Sequence, residues 1–169
     1  MKTDSSIALA KHLLAALVLV APLQGRCVQP ALPSAAADTN QQIERGRYLV
    51  RIGGCNDCHT PGYAAAGGQA PLKQWLVGDR LGMQGPWGTT YPSNLRMLMV
   101  SMNEQQWVQH ARSMQPRPPM PWFNVRAMND DDLRAIYAFV RSLGPAGEPA
   151  PAALPPGAAA SGPVIRWPG

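Results

Sequence analysis

Apolar side chains recur at i, i+3, i+4 and i+7 in the run Leu133, Ile136, Tyr137, Val140. That spacing puts them on one stripe and predicts an amphipathic helix over Asn129–Leu143. The flanking residues mark its ends. Asn129 is a good N-cap, and Asp130, Asp131 and Asp132 lie at the positive end of the helix dipole. Arg141 lies at the negative end, and Gly144-Pro145 stops the chain. A second helix is predicted over Gln41–Ile52, with Tyr48, Leu49 and Ile52 on one side and the small Gly46 in the middle. A third is predicted over Asn103–Met114. There Ser101 and Glu104 form a capping-box pattern, and Trp107, Val108 and Ala111 make a modest apolar face. No period-two alternation runs long enough to predict a strand. Residues 53–100, rich in Gly and Pro, read as loops. The pattern is that of an all-α protein.

Both ends read differently from the middle. Leu13–Leu23, "LLAALVLVAPL", is an eleven-residue apolar run behind Lys2 and Lys11. A bilayer span needs about 20 such residues, so the run suits the hydrophobic part of a secretory leader. "SAAAD" offers cleavage after Ala37, and a cut near Gly25 is the alternative. Cys27 then lies in or just after the discarded leader, which leaves Cys55 and Cys58 in the mature chain. From Gly144 onward there are seven prolines in 26 residues. Proline removes amide donors and fixes φ, so an extended, partly polyproline-II tail is expected. Val164, Ile165 and Trp167 are the exception, able to pin the tail to the domain or to a partner, with a solvated terminus as the alternative. The expected organisation is a leader over residues 1–37, a domain over 38–145 and a tail over 146–169.

Charge narrows the picture slightly. The net charge is +5, but from Asp38 onward 12 Lys and Arg face 9 Asp and Glu. No basic run marks a nucleic-acid surface, so no nucleic-acid partner is expected. A domain of roughly 100 residues buries too little surface to be comfortably stable alone, and a large apolar cofactor would help it.

The chemistry is concentrated in "CNDCH", Cys55 to His59. This is C-x-x-C-H, the attachment pattern of c-type haem. In one helical turn Cys55 and Cys58 share a side and can each reach one haem vinyl group, and His59 follows on the same face. The rivals are weaker. A redox dithiol would want a βαβ context, and a zinc site needs four ligands where only His110 remains to add. For the second axial position of the iron the candidates are His110 and Met83, Met97, Met99, Met102, Met114, Met120 and Met128. Met120 stands out because Pro119 and Pro121 flank it in a segment that cannot be helix. Rigid neighbours can hold a thioether at little entropic cost. Met97, Met99 and Met102 lie in an apolar run that reads as core, and His110 lies on a polar helix face.

The stretches "GRYLVRIGGCNDCHTPG", "GPWGTTYPSNLR" and "PPMPWFNVRAMNDDDLRAIYAFVRSLGP" together resemble a class I monohaem c-type cytochrome. The likeness is greatest to the cytochrome c subunits and domains of periplasmic dehydrogenases. The resemblance implies three to four helices and loops wrapped around one covalent haem c. It also implies His59 as proximal and Met120 as distal iron ligand. By the same resemblance, the Pro71 carbonyl orients the histidine ring. Tyr91 and Asn94 bond the haem propionate region, and Gly46 meets Tyr137 where the terminal helices cross. The function implied is that of a periplasmic one-electron carrier and not an enzyme, between a dehydrogenase donor and a cytochrome or oxidase acceptor. Membrane contact would come only through partners or an uncleaved leader. The alternatives are a haem subunit fixed in a dehydrogenase complex, or a haem enzyme or gas sensor with a displaceable sixth ligand.

Overall fold

A computed structural model describes residues 35–168. The leader expected over residues 1–37, Cys27 included, lies almost wholly outside them. Six helices run along the described chain: α1 (Ala35–Ile52), α2 (Cys55–His59), α3 (Leu95–Val100), α4 (Glu104–Ser113), α5 (Trp122–Ala127) and α6 (Asp130–Ser142). The three predicted helices are α1, α4 and α6. Ala37, the expected cleavage point, lies in the first turn of α1. None of the described helices is long and apolar enough to cross a membrane.

Helix α6 is the centre of the core. Asn129 caps it, its side-chain oxygen accepting from the Asp132 amide at 2.8 Å. Its buried stripe is Leu133, Ala135, Ile136, Phe139 and Val140. Tyr137 sits at the margin instead, its hydroxyl donating to the Met102 carbonyl at 2.9 Å. Helices α1 and α6 cross at Gly46. A Cβ on Gly46 would stand 2.7 Å from the Cβ of Phe139 and closer still to the Ala135 carbonyl. The crossing is as expected, but the aromatic neighbour is Phe139 and not Tyr137. Residues 135 and 139 are one helical turn apart and share a face, which residue 137 cannot join. Around this contact Val50, Leu76, Met99, Leu133, Phe139 and Val140 are almost fully buried.

Helix α4 packs on α6 through Trp107, whose indole N–H donates to the Leu133 carbonyl at 2.8 Å. Its capping box is formed by Asn103 and Gln106, not by Ser101 and Glu104. Ser101 is already used as the C-cap of α3, its hydroxyl bonded to the Leu98 carbonyl.

The region read as loops holds a hairpin that no alternation announced. Strand β1 (Gly82–Gly85) pairs antiparallel with β2 (Gly88–Thr90). The third strand, β3 (Val164–Arg166), comes from the tail and pairs parallel with β1, giving the order β2-β1-β3. Gly88 has φ +98°, and a Cβ there would collide with the Leu154 carbonyl, so glycine is needed for the tail to cross the hairpin. Thr89 and Leu154 exchange backbone bonds at that crossing, 3.1 and 2.8 Å. The tail is extended, as its prolines require, and it is fixed to the domain. Buried Arg96 completes the attachment. Its Nε donates to the Gly144 carbonyl at 2.6 Å and its Nη1 to Lys73 at 2.9 Å, while its Nη2 reaches Leu143. Burial lowers the pKa of this guanidinium from the ordinary arginine value.

Gly46→Val should destabilise the protein by about 1–3 kcal/mol, the usual cost of overpacking a tight contact. The denaturant midpoint measures it, and an unchanged midpoint would show that the crossing can open without cost.

Candidate haem attachment site

Two glycines separate α1 from α2. Gly53 closes the last turn of α1, its amide donating to the Leu49 carbonyl at 2.8 Å. Helix α2 is then a single turn carrying Cys55, Cys58 and His59. His59 is buried, and its Nδ1 donates to the Ser93 carbonyl at 2.7 Å. A carbonyl can only accept, so the proton sits on Nδ1 and the lone pair on Nε2. Desolvation lowers the His59 pKa, only partly opposed by the Ser93 bond, and keeps the ring neutral. The Gly78 amide donates to the His59 carbonyl at 2.9 Å, so backbone and ring are both held.

Behind the histidine runs a buried polar chain. The Thr60 hydroxyl donates to Asn56 Oδ1 at 2.7 Å and accepts from the Leu76 amide at 2.8 Å. Leu76 is fully buried with φ +61°, in the left-handed region that a leucine avoids at about 1–2 kcal/mol. It is held there from both sides, because its carbonyl accepts from the Leu95 and Arg96 amides. Asn56 Nδ2 is buried without a partner.

The two sulfurs do not have the setting of reactive thiolates. Burial pushes the Cys55 thiol up to about 11, and Asp57 adds to that. Burial raises the Cys58 thiol too, again with Asp57 and Asp79 contributing. A redox dithiol or a zinc thiolate needs the opposite, an electropositive neighbourhood. Nor do three His, Cys, Asp or Glu side chains converge as a metal cage among the described residues. Two neutral thiols on one turn, beside a neutral imidazole with one nitrogen locked and the other offered, fit a covalently attached haem. The lock is the arrangement a metal-ligating histidine requires.

The structure revises two of the expected haem contacts, those of Pro71 and Asn94. The carbonyl that receives His59 is that of Ser93, not Pro71. Pro71 is exposed, and its carbonyl accepts from the Gln74 amide at 2.8 Å, opening a short 3-10 turn. Asn94 is buried and has no donor left for a propionate. Its Nδ2 donates to the Ala146 and Glu148 carbonyls, 2.8 and 3.2 Å, and its Oδ1 accepts from Met97 as the cap of α3. The side chain therefore fastens the tail to α3. Tyr91 is half-buried with its ring edge toward Gly82.

The methionines separate by environment. Met99, Met102 and Met128 belong to the hydrophobic core, and Met83 is buried in β1. Met97 is exposed, and Met114 is the C-cap of α4. Met120 is half-buried and stands outside the core cluster. His110 leans on Trp107, ring centres 6.2 Å apart. Sequence reasoning missed Ser93, Thr60 and Asn56. Thr60 and Asn56 stand inside or beside the motif, where a buried polar pair could have been looked for. Ser93 acts through its carbonyl, which every residue possesses, so no signal marks it.

The family model described as cytochrome c matches residues 43–144 of this chain. Among curated proteins, a nicotinate dehydrogenase component of Pseudomonas putida is 29% identical over 132 residues, 71% of this chain and 10% of that protein. The fructose dehydrogenase cytochrome subunit of Gluconobacter japonicus is 25% identical over 134 residues, 73% of this chain and 26% of that protein. The chain thus matches a tenth and about a quarter of the length of these relatives. No solved structure matches.

Replacing both sulfurs, Cys55→Ser with Cys58→Ser, should leave any haem extractable by acid-acetone, whereas the parent chain matured by a cytochrome-assembly system should retain one haem through extraction. Haem that resists extraction from the double variant would mean that the attachment lies elsewhere.

Proposed function

Since this chain belongs to the cytochrome c family, whose iron-bearing haem c is covalently attached, we propose that it is an exported one-electron carrier serving a dehydrogenase. The observation that carries the reading is the buried His59, whose Nδ1 is locked on Ser93 and whose Nε2 is left for iron. Haem c supplies a reversible one-electron couple. Cys55 and Cys58 would hold it, and His59 would ligate its iron. The Ser93 carbonyl fixes the ring orientation and raises the basicity of the coordinating nitrogen. Met120 would be the second protein ligand of the iron. Its thioether favours ferrous iron, raises the potential and closes the position at which substrate chemistry would occur. Electron transfer rather than catalysis is the role this supports. Tyr91 remains the residue assigned to the propionate region.

The dehydrogenase partner is supported by the two relatives, both named as dehydrogenase subunits. Their names equally favour a second reading, in which this chain is a fixed haem subunit of such a complex. A carrier needs only a small transient contact, often under about 1,200 Å². The apolar run Leu13–Leu23 supports export and a periplasmic location. Purification of the tagged full chain from its native host separates the two readings. Stoichiometric retention of a dehydrogenase supports the fixed subunit; turnover-dependent reduction without a lasting complex supports the carrier.

Met120→Ala should keep the haem attached, make the ferric form high-spin, lower the potential and let carbon monoxide bind the ferrous form. Met120→His should restore a low-spin iron at a lower potential than the parent. The assignment fails if Met120→Ala keeps the parent spectrum and potential while Met114→Ala or His110→Ala loses them.

A further inference from the structure

Residues 115–121, "QPRPPMP", contain four prolines and no regular structure. Proline brings no amide donor, so this segment makes few backbone bonds of its own and depends on others to hold it. Upstream of Met120 the anchorage is to the hairpin. Thr90 Oγ1 donates to the Pro118 carbonyl at 2.8 Å, and Arg117 Nη1 reaches the Trp87 and Leu154 carbonyls at 3.2 and 3.3 Å. Downstream, α5 begins two residues beyond Met120, and the Trp122 amide donates to the Met120 carbonyl at 2.9 Å. Whatever fixes Trp122 therefore fixes the backbone of Met120.

Arg126 fixes Trp122. Its guanidinium lies over the indole, 4.4 Å from the ring centre. Its Nη2 donates to the Met114 carbonyl at 2.9 Å and to the Ser113 carbonyl at 3.3 Å, the open C-terminal end of α4. A cation belongs at that end of a helix dipole, and only a planar fork can stack on an indole while reaching carbonyls at its edge. Arg112 of α4 returns the link, bonding the Arg126 carbonyl and the Asp130 carboxylate. Arg126 Nε is buried with no partner. A lone buried N–H is unfavourable, and an apolar side chain would avoid it. What the charged fork provides in exchange is the link between Trp122 and the end of α4.

We propose that Arg126 is the positioning residue for the sixth iron ligand, holding Met120 in its seated conformation by tying α5 to the end of α4. The inference rests on Met120 being that ligand. An external ligand such as imidazole binds ferric iron only when Met120 is released, so its apparent affinity rises with the released population. Arg126→Ala, matured with haem, should bind imidazole about tenfold or more tightly than the parent, with Arg126→Lys intermediate. Arg126→Gln, which keeps an N–H donor, replaces Arg126→Ala if the latter does not mature. The control is the parent protein in urea at the stability of the variant, and its imidazole affinity should stay within about twofold of the untreated value. Met120→Ala measured alongside should bind imidazole more tightly still. An unchanged affinity in Arg126→Ala, or an equal rise in the urea control, overturns the positioning role while leaving Met120 as ligand. Parent-like imidazole binding by Met120→Ala overturns the ligand assignment and this inference with it.

Discussion

The close approach of α1 and α6 at Gly46 is the constraint on which the remaining structure depends. Two helices nearly ninety residues apart in sequence meet with the backbone of one against the side-chain face of the other. Glycine makes this approach possible because any Cβ would enter the Ala135 carbonyl. Everything that serves the haem lies between these two helices: the attachment turn follows α1 directly, and the proposed ligand segment precedes α6. A domain this small has little apolar surface to bury, so joining its ends is an effective way to enclose a core.

Inside that frame, order comes less from regular structure than from side chains bonded to carbonyls. His59 bonds Ser93, and Arg96 bonds Lys73, Leu143 and Gly144. Asn94 bonds Ala146 and Glu148, while Arg126 bonds Ser113 and Met114. The chain has 18 prolines and 16 glycines, which interrupt helices and remove amide donors and so leave many carbonyls without ladder partners. Planar arginine and amide side chains are suited to collect them. The tail belongs to the same scheme, since it is held by Asn94 and Thr89 and adds a strand to the hairpin.

The histidine lock links this scaffold to function. Ser93 lies between the hairpin and α3, so the ring orientation of His59 depends on where the chain path carries that segment. The Thr60–Asn56 pair and the strained Leu76 tie the attachment turn to the same loop. A single turn of helix with three functional side chains would be poorly defined alone; its surroundings hold it.

By itself the sequence determined the features that are local in the chain. The motif Cys55 to His59 needs only one helical turn to become an attachment site, and α1, α4 and α6 follow from apolar spacing and caps within a few residues. The proline setting of Met120 was likewise legible before any fold. The tertiary structure alone decided which distant groups meet. Ser93 rather than Pro71 receives His59, because carbonyls are identical in every residue and only the path of the chain selects one. Phe139 rather than Tyr137 faces Gly46, because the rotation of α6 is set by its packing against α1 and α4 together. Strands of three or four residues carry no readable period, so the pairing of β1 with β3 came from the fold. Asn94, which the family resemblance assigned to a propionate, spends its donors on a tail more than fifty residues away. Local chemistry is encoded by neighbours in sequence; the partner of a backbone carbonyl is encoded by the whole chain.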